Sequence, residues 1–502
     1  MRLVAIQGKN FRNYIQVIIE DKDDLERLKL LETIVSRAEY KPYIKSFDKM
    51  VRENYFINNT FIPYQFYQDI LKNFIPLLKD KIEVENKHIF FNNDINRIDF
   101  MEFAESIVLP PKYNIFDEKY EYQLESVYRA LKFKTSRIEV GTGGGKTLIT
   151  YIYCRYLLEN FISKGKQILI IVPRKDLVIQ TAKAFKEFDE FNDSEIWVET
   201  IYSGSRRALD AHIVIGTWQS LKEYNKEYFD DFSVLICDEA HSAKAYSIRN
   251  DIYNKCFNVE YVFGMTGTYP EYKSIDYLNI VAMFGPLVFV KKTKELIEDG
   301  NVCPVLINKI LINYNDDEKE FSKNLIASGI IGSEKYRIEK KYFQNYEPRS
   351  KLIAKLCNGF KYNHLILVES VEYVKYLRDY LTELCPDRYI DIIHGTINDR
   401  ESIKDEMSNR HDMILIATYE TMSTGVSINN IMHVHFPDGG RSEIRIKQSI
   451  GRGLRLHLLK EYLNVFDYQD QMVRSSYKNH ATDRNKIYLN EGLPTKDFFV
   501  TI

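Results

Sequence analysis

Residues 140–147 read Val140-Gly141-Thr142-Gly143-Gly144-Gly145-Lys146-Thr147, and no other stretch limits the fold as strongly. An apolar strand signal, Arg137-Ile138-Glu139-Val140, runs into it, and a helical run beginning Leu148-Ile149-Thr150-Tyr151-Ile152 leaves it. A glycine-rich turn between a strand and a helix is the setting of a phosphate-binding loop. Glycines let several backbone N–H groups converge on a polyphosphate, and the helix N-terminus adds its positive end. In that arrangement Lys146 reaches the β- and γ-phosphates and the Thr147 hydroxyl holds Mg²⁺, so ATP and Mg²⁺ are the expected ligands. Loops of this kind sit at the carboxyl edge of open α/β sheets, which makes α/β the expected fold class. Val140 stands where the strict pattern has its first glycine.

The 502 residues are 45% hydrophobic and 28% charged, enough apolar material for several cores in a soluble chain. A net charge of −2 gives no overall basic character, so a surface that meets nucleic-acid phosphates has to be a local patch. Cys154, Cys237, Cys256, Cys303, Cys357 and Cys385 are scattered and form no CxxC pair. They read as buried free thiols in a reducing compartment, and neither a disulfide framework nor a zinc site is indicated. No segment approaches the uninterrupted apolar length of a membrane span, so a soluble intracellular protein without membrane partners is expected.

Residues 1–111 carry no phosphate-loop chemistry and read as a small accessory α/β module. Tyr14–Ile19 alternates like a strand, and Asp23-Asp24 opens a helix with Leu25, Leu28, Leu31, Ile34 and Val35 on one face. Residues 54–63 read as a hairpin about Asn58-Asn59, followed by a helix carrying Phe66, Ile70, Leu71, Phe74 and Ile75. Tyr40, Lys41, Tyr43, Lys45, Phe47 and Lys49 have the rings and cations that meet nucleic acid, and equally the mix of an ordinary core and surface. Pro110-Pro111 marks the expected linker.

Residues 112–300 read as the domain that carries the phosphate loop. Gln123, on a helix just upstream of the loop, has an amide able to pair both edges of an adenine; a plain solvated glutamine is the alternative. Ile168–Val172 is a buried parallel-type strand leading to Pro173-Arg174, and Ile213–Gly216 is a second one leading to Thr217-Trp218-Gln219-Ser220. Polar residues at such strand ends lie on the ligand edge of the sheet, although Thr217 and Ser220 also suit a helix cap. A third strand, Ser233–Cys237, delivers Asp238-Glu239-Ala240-His241. There Asp238 suits Mg²⁺, Glu239 suits orienting and deprotonating a water, and His241 suits sensing the nucleotide state. A fourth strand ends in Thr266-Gly267-Thr268.

In residues 301–502 the strand pattern restarts at His364–Val368, Tyr389–His394, Met413–Thr418 and His433–Phe436, without a second phosphate loop. A charged stretch about Lys335–Lys341 reads as the connection between the lobes. A sheet without a loop makes sense as a lid, and Gln448-Ser449-Ile450-Gly451-Arg452-Gly453-Leu454-Arg455 supplies its positive charge. Arg452 and Arg455, three apart, are expected on one helix face, where guanidinium forks clamp a phosphoryl group. His480, Arg484 and Tyr488 also share a spacing, with helix packing and DNA contact both open.

In order, the phosphate loop, Val172-Pro173-Arg174, Asp238-Glu239-Ala240-His241 and Thr266-Gly267-Thr268 resemble motifs I, Ia, II and III of superfamily 2 helicases. Ala417-Thr418 through Ser423-Thr424-Gly425-Val426-Ser427 resembles motif V, with Ser427 where many members have aspartate, and residues 448–455 resemble motif VI. Gly216-Thr217-Trp218-Gln219 and Gly425-Val426-Ser427 are most similar to phage UvsW-type recombination helicases. The resemblance implies two tandem RecA-like parallel-sheet motor domains after a small accessory, DNA-binding domain. It implies ATP-dependent unwinding and branch migration of branched or single-stranded DNA, by a protein of the cytoplasm, that of the host if viral; a monomer is expected. Lys146, Asp238, Glu239, Gln448, Arg452 and Arg455 would be catalytic, and Arg174, Thr217 and Thr418 would contact the strand without reading sequence. The alternatives are an RNA helicase, the motor of a restriction or remodelling complex, and an annealing protein whose ATP site only switches binding.

Overall fold

The computed structural model describes residues 2–7, 13–20, 22–35, 61–63, 66, 70, 84–86, 90–92 and 94–502, apart from 164, 193–194, 204–210, 245–247, 271–273, 396, 398–399, 423–427, 429, 439, 441 and 473. The chain divides into two compact units, residues 1–141 with 145–291 and residues 142–144 with 292–502. The expected Asn58-Asn59 hairpin turn, the ring-and-lysine stretch 40–49 and the motif V residues 423–427 lie outside the described residues.

In the first unit, β1 (Arg2–Gln7), β2 (Asn13–Ile18), β3 (Phe61–Pro63) and β4 (Val84–Glu85) form a sheet in the order β3-β2-β1-β4, and α1 (Asp24–Val35) follows β2. Leu3, Ala5, Ile15, Val17, Leu31, Ile62, Phe66 and Ile70 form its core.

The motor sheet is built differently. Helices α2 (Arg97–Ser106) and α3 (Glu121–Leu131) precede β5 (Thr135–Val140) and α4 (Lys146–Asn160). Then come β6 (Gln167–Val172), α5 (Lys175–Asp189), β7 (Val198–Ile201), β8 (Ile213–Thr217), β9 (Phe232–Asp238), β10 (Tyr261–Thr266), α6 (Ile275–Phe284) and β11 (Leu287–Lys291). All seven strands run parallel, in the order β11-β5-β10-β9-β6-β8-β7. Parallel strands covered on both faces read as continuous apolar runs, and period-two alternation then divides each run between two cores. Ile168, Ile170 and Val172 of β6 enter one core while Leu169 and Ile171 enter the other; Val234 and Ile236 of β9 oppose Leu235 and Cys237 in the same way. Helix α6 is shared: Ile280, Met283 and Phe284 join the motor core, whereas Leu278 and Val281 join the core of the N-terminal sheet. The accessory sheet is thereby packed onto the first motor unit. Phe100 and Ala104 of α2 also belong to the motor core.

The second unit runs β12 (Val305–Asn313), α7 (Gly332–Gln344), α8 (Glu347–Gly359), β13 (Asn363–Val368), α9 (Val371–Leu384), β14 (Tyr389–Ile393), β15 (Met413–Thr418), β16 (Ile431–Phe436), α10 (Glu443–Gly453), β17 (Leu463–Asp470), α11 (Ser476–Asn490) and β18 (Thr495–Thr501). Its seven strands are again all parallel, ordered β14-β15-β13-β16-β17-β12-β18. The charged stretch 335–341 lies within α7 and is part of this unit: Glu339 accepts from the backbone of Ser476 at 2.8 Å, and Tyr336 packs on Tyr477. The His480–Arg484–Tyr488 question resolves toward packing. Arg484 is 2% exposed and paired with Asp467, and Tyr488, fully buried, donates to the same carboxylate at 3.1 Å.

A second buried pair, Arg349 with Asp470, ties α8 to the end of β17, and the other guanidinium nitrogen donates to the carbonyl of Pro437 at 2.6 Å. Removing one partner of such a pair leaves an uncompensated buried charge. Asp470→Ala is therefore expected to destabilise the protein by about 3–5 kcal/mol in urea unfolding, with the Arg349→Met/Asp470→Leu double variant recovering most of it. A loss within about 1 kcal/mol would show that the pair is dispensable.

All six cysteines are free and buried. Among the described residues no helix is long and apolar enough to cross a membrane.

Candidate nucleotide site and strand edge

The phosphate loop begins where β5 ends, at the fully buried Val140. Gly143 and Gly145 have φ of +87° and +76°, values that side-chain-bearing residues rarely adopt. A Cβ on Gly145 would stand 2.3 Å from the Nε2 of Gln123, so the loop rests directly on that amide. The structure thus places Gln123, 5% exposed on α3, against the loop. Lys146 opens α4 and its ammonium donates to the Val140 carbonyl at 3.2 Å, with Thr147 beside it in the first helical turn. Left-handed glycines at a strand-to-helix junction, a lysine and a hydroxyl fit a Mg²⁺-nucleotide.

Strand order places the remaining chemistry beside this loop. β10 lies next to β5 and β9 next to β10, so Thr266, Asp238 and Glu239 emerge on the same carboxyl edge as Val140. Glu239 has φ +53°, an uncommon left-handed conformation that re-aims its side chain after the strand ends. Its carboxylate accepts from the Thr266 hydroxyl at 3.1 Å and lies 3.2 Å from His241 Nδ1; His241 Nδ1 and Thr266 Oγ1 are 2.8 Å apart. His241, Glu239 and Thr266 therefore form one connected group. Desolvation at this edge, and next the charge of Glu239, push the Asp238 carboxyl up to about 6, with Lys146 opposing. Desolvation acts upward on Glu239 too, but the His241 hydrogen bond and the Lys146 charge outweigh it and hold that carboxyl well below its usual range. Glu239 is accordingly ionised, a state suited to orienting a water.

Of the expected strand contacts, Arg174 and Thr217 lie farther along this edge, and Thr418 lies in the second unit. Arg174 is the N-cap residue of α5, just after β6. Thr217 ends β8 but is 6% exposed, and its hydroxyl donates to Ser220 at 3.1 Å. Thr418 repeats the arrangement in the second unit: it is 7% exposed, with its hydroxyl 2.9 Å from that of Thr421. Both hydroxyls are thus engaged within their own turns, although Thr217, the N-cap position of the short helix 218–221, makes no side-chain cap hydrogen bond there.

Gln448 and Arg452 lie on α10, but Arg455 does not share their helix face. The helix ends at Gly453, where a Cβ would meet Leu463 at 2.4 Å, and Leu454 turns inward. Arg455 follows, exposed, beyond the helix end. Lys460, which carries no motif, supports this end: its ammonium, pulled down to about 8 by burial, donates to the carbonyls of Gly453 and Arg455 at 3.0 and 2.9 Å. In the same unit Cys357, His364 and His435 bring three ligand-type atoms within 4.8 Å. His364 Nδ1 is 2.9 Å from His435 Nε2, and His435 Nδ1 is 3.0 Å from the Tyr468 hydroxyl, so this cluster that sequence did not flag is a buried hydrogen-bond chain.

Two all-parallel seven-stranded sheets, the first carrying a phosphate loop, paired carboxylates and a linking threonine on one edge, define the motor of a superfamily 2 helicase, an ATP-hydrolysing enzyme. The family described as type III restriction enzyme, res subunit, matches residues 117–271, and the helicase conserved C-terminal domain matches residues 348–457. The ATP-dependent DNA helicase UvsW of enterobacteria phage T4 is 30% identical over 79% of this chain and 77% of its own length. The chain belongs to the UvsW family of helicases. A DNA 3′-5′ translocase of Sulfurisphaera tokodaii is 28% identical over 51% of this chain and 49% of its own. Among solved structures, a fragment assigned as the HsdR subunit of a type I restriction enzyme from Vibrio vulnificus YJ016 has the same fold, with 18% identity, a TM-score of 0.57, and coverage of 81% of this chain and 72% of that one.

Proposed function

We propose that this helicase acts on DNA, branched or single-stranded, and couples ATP hydrolysis to unwinding and branch migration. The observation that carries this reading is the 30% identity to a phage DNA helicase over 79% of the chain, on top of an intact hydrolytic edge. In this reading residues 1–111 are an accessory DNA-binding domain, 112–300 the first motor domain and 301–502 the second. Gln123 holds the adenine; the amides of Gly141, Thr142, Gly143, Gly144 and Gly145 cradle the phosphates; Lys146 takes the β- and γ-phosphates. Thr147 and Asp238 would hold Mg²⁺, which neutralises charge developing on the phosphates. Glu239 orients the attacking water, and His241 reports the state of that carboxylate to Thr266. Gln448, Arg452 and Arg455 serve the γ-phosphate, and Arg174 with the turns at Thr217 and Thr418 tracks the strand backbone, without sequence preference.

Steady-state ATPase at fixed salt, with no nucleic acid, single-stranded DNA, duplex DNA, four-way or forked DNA, and matched RNA, tests the proposal. The expected result is strongest stimulation by branched or single-stranded DNA. Equal or better stimulation by RNA would move the enzyme to RNA, and binding without sustained turnover would leave only a nucleotide-switched annealing protein.

A further inference from the structure

Beyond Thr217, the carboxyl edge of the first unit's sheet opens into a cavity of about 480 Å³. One wall is Tyr202 and Ser203, at the end of β7; the other is Gln219, Ser220, Glu223 and Tyr224, in the turn after β8. Two aromatic rings face this space from elements already fixed. Tyr224 stacks on the buried Tyr228 with centroids 4.3 Å apart, and the Lys175 ammonium sits 4.7 Å from the centre of the Tyr202 ring. Among the described residues that line the cavity none is a lysine or arginine, and Glu223 supplies a carboxylate that is 72% exposed and 3.7 Å from the Lys222 ammonium.

The combination of two aromatic rings, an amide, hydroxyls and a carboxylate suits a base. Glu223, whose exposed pairing with Lys222 is readily exchanged, can accept from an exocyclic amine, while the Gln219 amide and the serine hydroxyls offer both donors and acceptors. Aromatic faces stack on any base. Cytosine, adenine and guanine present an amine to a carboxylate; thymine presents one imino N–H between two carbonyls, which Glu223 repels.

We propose that this cavity is a nucleobase subsite, in which one unpaired base of the bound strand stacks against Tyr202 and Tyr224 and meets Glu223, so that amine-bearing bases are preferred over thymine. The subsite rests on the nucleic-acid function proposed above, and it adds a mild base preference to a motor whose other contacts are to backbone.

The test is fluorescence anisotropy of the full chain with labelled oligo-dC and oligo-dT at several salt concentrations, with DNA-stimulated ATPase measured in parallel. Tyr202→Ala and Tyr224→Ala are expected to weaken oligo-dC binding about tenfold without changing the salt slope, because phosphate contacts are kept. Tyr202→Phe and Tyr224→Phe keep the rings and are expected to keep the affinity, which separates stacking from a folding defect. Glu223→Gln is expected to bring the dC-to-dT affinity ratio close to one. If the wild type is stimulated by DNA but the tyrosine-to-alanine variants bind normally, or if oligo-dT binds as well as oligo-dC before and after Glu223→Gln, the subsite is refuted and the helicase function stands. If no DNA binds or stimulates the wild type, the DNA function falls and the subsite falls with it.

Discussion

Lys146→Ala is expected to lower steady-state ATP hydrolysis by about a hundred- to a thousandfold, in line with losing one preorganised charge at a reacting group. Binding of single-stranded DNA should stay near wild type. The expectation follows from where the ammonium stands: it opens α4 at the carboxyl edge, donates to the Val140 carbonyl, and its charge acts downward on the carboxyls of both Asp238 and Glu239. Its removal costs the fold little, about 1 kcal/mol for one half-buried hydrogen bond, so the loss of turnover would not reflect unfolding. Equilibrium binding of a fluorescent nucleotide, DNA anisotropy and phosphate release on the same preparation separate these terms. Robust phosphate release by the variant would remove the phosphate loop from the mechanism.

Much of this site can be read from sequence because of how parallel sheets are made. Strands buried on both faces must be uninterrupted apolar runs, so the first polar residues after each run, such as Asp238 after Ile236-Cys237 or Thr266 after Met265, stand out and necessarily fall on one edge. What stays hidden is set by contacts between residues far apart in sequence. The support of Gly453 and Arg455 by Lys460, the packing of Gly145 on Gln123, and the Arg349–Asp470 pair, 121 residues apart, leave no local pattern. Thr217 and Thr418 show the opposite limit: their positions at strand ends are legible, but the hydroxyl partners at Ser220 and Thr421 depend on rotamers that spacing does not fix. The end of α10 is not set by periodicity: a 3.6-residue period continues past Gly453, while the chain leaves the helix at that glycine, where Leu463 packs into the space a Cβ would fill.

Arg452→Ala and Arg455→Ala are each expected to reduce kcat by about a thousandfold or more, the range for guanidinium groups that neutralise charge on a transferring phosphoryl group. Lysine at either position should restore little, because a point charge cannot reproduce the planar, bidentate fork. The two sites differ in what else they do, and that difference makes the result interpretable. Arg455 is exposed past the helix end, so its truncation should change thermal stability by no more than about 0.5 kcal/mol, and a kcat loss there is a loss of chemistry. Arg452 is half-buried on α10, and its variant needs a melting curve beside the rate. Lys460→Met provides the intermediate case: it keeps both arginines and frees the carbonyls of Gly453 and Arg455, so kcat should fall less than in either arginine variant while the KM for ATP changes little. Arg455→Ala turning over at the wild-type rate would mean that the charge for phosphoryl transfer comes from elsewhere in the chain.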